Sequence, residues 1–228
     1  MSPDKEIAQA KNLSDACKAA GVSHVVWSTL EDTRLRVPLS DERMPTLQGR
    51  FKVPHYDTKG ESDKFFDPAR TTLFATSFYW DNLIYFGMGP KPDESGKLGF
   101  VLPMGDKKLP GIAAEDIGKC AFGVFKRGAS MLGKRVAVAG EHLTGAEMSR
   151  ALGHALEREV AYRPVPPAVY RSFGFPGADD LGNMFQYKAE FETEYCGARN
   201  LAESRALNPD LLTFAAWLAK NKSRIPLG

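Results

Sequence analysis

The chain has few cysteines, and they follow no recognisable pattern. Its 228 residues include three, Cys17, Cys120 and Cys196, which lie far apart and form no CxxC pair. A disulfide framework or a zinc knuckle needs closely and regularly spaced cysteines, so neither is expected. This cysteine usage indicates a reducing compartment. We therefore expect a cytoplasmic protein, with the nucleus as the alternative.

Long apolar runs and a strong net charge are also missing. No stretch approaches the ~20 apolar residues that a membrane-spanning helix requires. The formal net charge is only +2, and the Lys/Arg pairs, such as Lys107-Lys108, are scattered along the chain. Scattered pairs are typical of a solvated surface rather than of a nucleic-acid-binding patch. The composition therefore predicts neither a membrane nor a direct nucleic-acid partner.

Several catalytic and binding motifs are absent as well. The four histidines show no HxxxH spacing, so no metal site is predicted. No GxSxG motif occurs, which argues against a hydrolase nucleophile of that type. The Gly-rich turn that binds a pyrophosphate at a helix N-terminus is also missing from this sequence.

The first recognisable elements are a helix and then a strand. Ser2 as N-cap, Pro3 at the first helical position and Gly21 as the stop delimit the helix. The apolar run Val22–Ser28 predicts a buried strand. Helix, glycine and strand make half of a βαβ unit, and a buried parallel strand normally has neighbours on both edges. We therefore expect a nucleotide-binding α/β protein of which this chain is the later part.

The remaining pattern alternates strands with helices and then becomes helical. The long irregular stretch Leu30–Pro54 is expected to serve a ligand crevice. Further strands are predicted at Thr71–Ser77, Gly99–Leu102, Arg135–Ala139 and Val160–Val165, the last as an edge strand. Helices are predicted from His55, from Phe78 to a stop at Gly87, over Ala114–Lys126 and after the capping box of Thr144 and Glu147. Beyond Pro166 the sequence predicts helices only.

Several segments, in order along the chain, resemble one family. They are Val25–Glu31, His55–Glu61, Ser77–Leu83, Leu102–Gly105 with Ala114–Gly118, and Phe173–Phe185. Together they closely resemble the NmrA-like family of atypical short-chain dehydrogenase/reductases. The segment Phe173–Phe185 is the most specific and looks most like the redox-sensor branch. The resemblance covers nearly the whole chain.

The resemblance implies a definite architecture. It indicates an α/β fold with a partial Rossmann-like, doubly wound parallel sheet, whose first strands and Gly-rich turn are missing. A smaller, mostly helical C-terminal subdomain follows. We expect residues 1–140 to form part of the NAD(P)-binding domain and residues 141–228 the helical subdomain. Residues 88–111 are expected to contribute to the smaller part.

The resemblance also implies site residues on the helix that begins near His55. A lysine at the position of Lys59 reaches the nicotinamide ribose in the family. Typical short-chain dehydrogenases carry a catalytic tyrosine four residues earlier, where this chain has His55 on the same helical face. Tyr56, three residues before Lys59, is expected to point elsewhere. His55 as a proton donor and Ser28 as a carbonyl-polarising hydroxyl are weak catalytic candidates, against packing roles for both.

A second group of site residues follows the second predicted strand. The resemblance places contacts to the nicotinamide end of the cofactor in Ser77–Asn82, which gives Phe78, Tyr79, Trp80 and Asn82 as candidates. The alternative for Phe78 and Trp80 is a role in the core. The implied cofactor is NADP, with NAD as the alternative.

Three functional hypotheses remain open. The first is a redox sensor that binds NADP(H) in the complete protein and acts through an unidentified protein partner. The second is an NAD(P)H-dependent quinone or carbonyl reductase. The third is a truncated interaction module that binds no nucleotide and exposes the strand Val22–Ser28 as an apolar edge. A homo-oligomer is compatible with each of them.

Overall fold

The computed structural model describes residues 2–227, which form ten α-helices and nine strands. The helices are α1 Pro3–Ala19, α2 Pro54–Ser62, α3 Asn82–Tyr85, α4 Ala114–Arg127, α5 Gly145–Leu156, α6 Pro167–Arg171, α7 Ala178–Glu190, α8 Glu192–Ala198, α9 Leu201–Leu207 and α10 Phe214–Asn221. The strands are β1 Val25–Thr29, β2 Thr71–Ala75, β3 Phe78–Tyr79, β4 Lys91–Pro92, β5 Leu98–Leu102, β6 Lys108–Ile112, β7 Arg135–Ala137, β8 Glu141–Thr144 and β9 Val160–Pro164.

The main sheet has three parallel strands in the order β1-β2-β7. The carboxyl ends of parallel strands meet at one edge of a sheet, so the residues that follow β1 and β2 lie together. Within residues 2–227, β1 pairs on one edge only. It is also less buried than predicted: the side chains of Val25–Trp27 are half-buried and Ser28 is exposed. The predicted strand is therefore present, over Val25–Thr29 instead of Val22–Ser28, but the prediction that it is buried is wrong for this structure.

Two further sheets have the orders β3-β6-β8 and β4-β5-β9. The helix predicted from Phe78 to Gly87 is wrong in its first part, because Phe78 and Tyr79 form β3 and pair with Gly111 and Ile112 of β6. The helix α3 begins only at Asn82. Long-range pairing decides the structure here, and a local pattern does not contain that information.

Other predictions are confirmed. The helix α1 begins after Ser2 and ends before Gly21, which adopts a left-handed φ of 65°. Thr144 and Glu147 form both hydrogen bonds of a capping box at the start of α5. The strand β9 lies at the edge of its sheet, and the described chain after Pro166 is helical apart from connecting turns. The α/β class with a parallel sheet and a helical C-terminal part is thus confirmed.

The long segment between β1 and α2 is irregular but well packed. Val37, Met44 and Val53 are completely buried in the larger core cluster. The Asp57 carboxylate accepts hydrogen bonds from the amides of Thr33, Lys52 and Val53 at 2.8, 2.8 and 3.0 Å, and from the Thr33 hydroxyl at 2.6 Å. Burial raises the pKa of Asp57, and these donors offset part of that cost. One carboxylate therefore holds both ends of the segment against α2.

No helix among residues 2–227 has both the length and the apolar character needed to cross a membrane. The division of the chain near residue 140 stays a prediction.

Candidate functional site

The candidate site lies where β1 and β2 end. Lys59, on α2, points its ammonium at the end of β1, where its Nζ lies 3.4 Å from the carbonyl oxygen of Ser28. The same Nζ lies 3.5 Å from Oε1 of Glu6 on α1 and 5.5 Å from the centre of the Trp27 ring. The ammonium therefore sits at the carboxyl edge of the sheet with one long hydrogen bond and one long ion pair. Both are weak enough for a ligand to replace.

His55 lies one turn earlier on α2 and has different neighbours from Lys59. Its Nδ1 is 2.7 Å from Oδ1 of Asp180, in the first turn of α7. A carboxylate bonded to one ring nitrogen fixes the tautomer and leaves the other nitrogen for chemistry. The shared helical face predicted for His55 and Lys59 does not bring them into one hydrogen-bonded group: Lys59 contacts α1 and β1, whereas His55 contacts α7.

Tyr56 points away from Lys59, as expected. Its hydroxyl is buried and lies 2.7 Å from the hydroxyl of Tyr195 on α8. Burial raises the pKa of Tyr56 well above its ordinary value. The hydroxyl of this phenol is therefore bonded to Tyr195 and not to Lys59, and it lacks the lowered pKa that a dehydrogenase tyrosine needs.

The segment after β2 provides hydroxyl groups beside the same edge. The Tyr79 hydroxyl is 3.1 Å from Oγ1 of Thr76, and the Tyr79 side chain is exposed. Ser77 is buried, and its Oγ has no hydrogen-bond partner among the described residues. A buried hydroxyl without a partner is uncommon and is satisfied when a polar group approaches. Asn82 is half-buried at the start of α3.

Phe78 and Trp80 fill the core instead of lining a crevice. Phe78 packs near Phe185, whereas Trp80 packs against Phe214 and Trp217. A Cβ added at Gly111 would lie 2.2 Å from Nε1 of Trp80, so the indole passes directly over the backbone of β6. Within Phe78–Asn82, we therefore keep Tyr79 and Asn82 as the candidate nicotinamide contacts.

Sequence patterns did not reveal Arg199, which joins the two strand ends. This residue follows α8 and is completely buried. Its Nε donates to the carbonyl oxygen of Thr76 at 2.9 Å, and its Nη1 and Nη2 donate to the Glu31 carboxylate at 2.8 and 3.2 Å. Thr76 follows β2 and Glu31 lies just beyond β1. Burial alone would raise the pKa of Glu31, but the Arg199 charge and hydrogen bonds hold that pKa below its ordinary value.

Lys188 is a second buried cation next to this group. It lies on α7 with 2% of its surface exposed. Its Nζ donates to the sulfur of Met184 at 3.3 Å and lies 5.7, 5.6 and 5.5 Å from the ring centres of Tyr56, Phe185 and Tyr195. We call these three rings the aromatic box. Burial, together with the nearby Arg199 charge, lowers the pKa of Lys188 to about 7.

Only one of these two cations carries a sequence signal. Lys188 is four residues after Met184 and three after Phe185, so helical spacing places it on the apolar face of α7. That position could have identified a buried lysine. Arg199 follows Gly197 and Ala198 at a helix end, where an arginine is ordinarily a surface residue.

The structure offers no candidate metal site within residues 2–227, where no group of three or more His, Cys, Asp or Glu side chains could hold an ion.

Comparison with known proteins identifies the family. The sequence profile of the NmrA-like family matches residues 1–218, which is nearly the entire chain. The chain belongs to the NmrA-like family. The resemblance to the NmrA-like family, inferred from sequence segments, is therefore confirmed at the level of the family.

Two curated NmrA-like relatives illustrate the similarity. The nitrogen metabolite repression protein nmrA of Emericella nidulans is 31% identical over 165 residues, which cover 71% of this chain and 45% of that protein. The NmrA-like family domain-containing oxidoreductase lnbB of Aspergillus flavus is 25% identical over 202 residues, which cover 82% of this chain and 57% of that protein. The chain thus spans about half the length of the curated relatives it matches.

Solved structures show the same fold. NmrA, described as a negative transcriptional regulator, superposes with a TM-score of 0.73 at 23% identity, covering 94% of this chain and 69% of that chain. The NmrA complex with NADP gives a TM-score of 0.72 with the same identity and coverage. The NADPH-dependent quinone oxidoreductase QOR2 of Escherichia coli gives 0.65 at 19% identity, covering 93% of this chain and 72% of that chain.

Proposed function

We propose that this chain carries the nicotinamide end of an NAD(P)(H) site and belongs to a regulatory redox sensor that acts through a protein partner. Lys59, Ser77, Tyr79 and Asn82 are the proposed cofactor contacts, with NADP as the preferred cofactor and NAD as the alternative. The mostly helical residues 141–228 are the proposed partner-binding part.

The position of Lys59 carries this proposal. Its ammonium lies at the carboxyl edge of the parallel sheet, which is where doubly wound folds bind their ligands. Its two polar contacts, to the Ser28 carbonyl and Glu6, are 3.4 and 3.5 Å long. Two ribose hydroxyls could replace these contacts without leaving the ammonium unpaired.

The polar groups that follow β2 fit the nicotinamide end of a dinucleotide. The unpartnered Ser77 hydroxyl and the exposed Tyr79 hydroxyl can bond the ribose or the carboxamide. When bound, the dinucleotide supplies a ring that can give or accept a hydride. Two solved NmrA structures, described as complexes with NAD and with NADP, are similar to this fold and support the choice of ligand.

The absence of a suitable tyrosine favours sensing over turnover. The position four residues before Lys59 holds His55, and the nearest phenol, Tyr56, is bonded to Tyr195 inside the core. One similar solved structure, NmrA, is described as a negative transcriptional regulator, and this description supports a regulatory role for the present chain.

The pair of His55 and Asp180 favours a second candidate function, a carbonyl or quinone reductase. In this alternative, a bound NAD(P)H would supply the hydride for the carbonyl carbon of the substrate, and His55 would donate a proton to its oxygen. Asp180 would hold the ring through the 2.7 Å contact to Nδ1. The neutral imidazole would then regain a proton from water.

Calorimetric titration of NADPH into the chain and its Lys59→Gln variant tests the proposal. Loss of a charge-assisted hydrogen bond is worth ~1.5–3 kcal/mol, so we expect at least tenfold weaker binding by the variant. Lys64→Gln is the matched control, since Lys64 is mostly exposed and its one ion pair within residues 2–227 is with Glu61 at 3.5 Å. It should bind NADPH as the wild type does.

Turnover and binding separate the three hypotheses. A sensor binds NADPH without consuming it in the presence of quinones or aldehydes. Steady oxidation of NADPH that is abolished by His55→Asn would support the reductase instead. If the wild-type chain binds no NADPH, the dinucleotide proposal fails for this chain and the interaction module is favoured.

A further inference from the structure

Arg199 occupies a position that only a planar, multiply donating side chain can fill. Its guanidinium bonds Glu31 with two nitrogens and the Thr76 carbonyl with a third. Nη1 also lies 3.3 Å from the carbonyl oxygen of Tyr195, and the guanidinium carbon lies 3.6 Å from the centre of the Tyr195 ring. The fork geometry of arginine allows these contacts at once, and lysine cannot reproduce them.

The same group extends to the helix that carries Lys59. The Tyr195 ring stacks on Arg199, and its hydroxyl bonds Tyr56 on α2 at 2.7 Å. Arg199 therefore connects the end of β1, the end of β2 and, through Tyr195, the first turn of α2. These are the three pieces of backbone that carry the proposed nicotinamide site.

We propose that Arg199 is a positioning residue, which fixes the ends of β1 and β2 in the geometry that the dinucleotide requires and couples that geometry to α8. The dinucleotide part of this inference rests on the proposed function. The coupling to the strand ends rests on the contacts of Arg199 alone. A partner bound at α8 would, through this residue, change the affinity of the crevice, and the dinucleotide would reciprocally change the affinity for the partner.

Amide hydrogen exchange, followed by mass spectrometry, tests the positioning role without a ligand. Arg199→Lys keeps the positive charge but loses the simultaneous contacts to Glu31 and Thr76. We expect about tenfold faster exchange in the peptides that span residues 25–31 and 71–79, with unchanged exchange in α5. Arg205→Lys is the matched control, because Arg205 is exposed and bonds a single carbonyl, that of Leu211, at 3.2 Å.

A merely structural role of Arg199 predicts a different distribution of amide exchange rates in the Arg199→Lys variant. Equal acceleration in all peptides, or no acceleration at the two strand ends, would overturn the proposal. If Arg199→Lys does not fold, Glu31→Gln serves instead: it removes the charge of the partner and retains an acceptor oxygen. It should accelerate exchange in the same two peptides to a smaller extent, and wild-type exchange there would equally refute the role.

NADPH affinity completes the test. Arg199→Lys should bind NADPH at least fivefold more weakly than the wild type, and Arg205→Lys should not differ from it. Local acceleration of exchange with unchanged affinity overturns the link to the dinucleotide. If the wild-type chain itself binds no NADPH, the proposed function fails, and the exchange comparison still decides whether Arg199 positions the strand ends.

Discussion

Replacing Lys188 with methionine should stabilise the protein and change how its stability depends on pH. The ammonium is 2% exposed, and its one hydrogen-bond acceptor among the described residues is the sulfur of Met184. The half-buried carboxylate nearby, Glu31, already pairs with Arg199. Methionine has a similar length and no charge, so it can occupy the aromatic box without the cost of desolvation.

The size of the effect follows from the pKa of Lys188. Burial lowers this pKa from its ordinary 10.5 to about 7, and a shift of this size costs ~4 kcal/mol of stability at pH 7. Attraction to the three rings offsets ~1 kcal/mol or more of that cost. We therefore expect the Lys188→Met variant to be more stable by about 3 kcal/mol at pH 7, or roughly 6–12 °C in Tm.

The gain should shrink as the pH rises. Between about pH 7 and pH 10.5 the unfolded state holds a proton on Lys188 that the folded state has lost, so the wild-type protein gains stability with pH. The difference between variant and wild type should fall by about 2 kcal/mol from pH 7 to pH 9. Urea unfolding at several pH values measures it.

The matched control is Lys220→Met, on α10. Lys220 has 59% of its side chain exposed, and its replacement should change the stability by less than about 0.5 kcal/mol at every pH. A Lys188→Met variant that is less stable than the wild type at pH 7 would refute the reasoning. So would a gain that stays constant from pH 7 to pH 9.

Two further substitutions test the packing that surrounds the site. Asp57→Ala leaves four donors without their acceptor, so we expect a loss of about 3 kcal/mol and early tryptic cleavage between residues 30 and 53; wild-type resistance to trypsin would contradict this. Gly123→Ala places a Cβ 2.2 Å from the carbonyl oxygen of Leu207 and should cost about 2 kcal/mol in denaturant unfolding. Gly118→Ala, on the same helix with nothing within 4 Å of the added atom, should be neutral or slightly stabilising; equal losses in the two alanine variants would show that helix α4 does not pack as described.

Features encoded by neighbouring residues were predictable from the sequence. The capping box of Thr144 and Glu147 needs only residues three apart, and it forms as expected. The helix of Pro3–Ala19 likewise follows from its own cap, proline and terminal glycine. The irregular segment between β1 and α2 could also be expected, because its prolines and charges give it no regular periodicity.

Features that depend on distant partners were not predictable. Lys108–Ile112 contains Pro110 and Gly111, which indicate a turn, yet it forms the central strand of its sheet between β3 and β8. Gly111 is required there because the Trp80 indole occupies the space of a side chain. Phe78 and Tyr79 likewise form a strand because of a distant partner, since they pair with Gly111 and Ile112 of β6.

The candidate site shows the same division. Lys59 and Ser77–Asn82 could be proposed from motifs, and the structure places Lys59 at the expected edge of the sheet. Arg199 could not be proposed, because no local pattern shows that an arginine after α8 will reach the ends of β1 and β2. Its role depends on how the C-terminal helices fold back onto the sheet.

Trp27 gives the protein a built-in optical reporter. The chain has three tryptophans, and two of them, Trp80 and Trp217, are 1% exposed in the core. Trp27 instead stacks on Phe66, bonds Asp63 through its indole nitrogen at 3.0 Å, and lies 5.5 Å below the Lys59 ammonium. A molecule that draws this ammonium away will alter the emission of one indole against a constant background from the other two. Occupancy of the crevice can therefore be followed by fluorescence in the unlabelled protein.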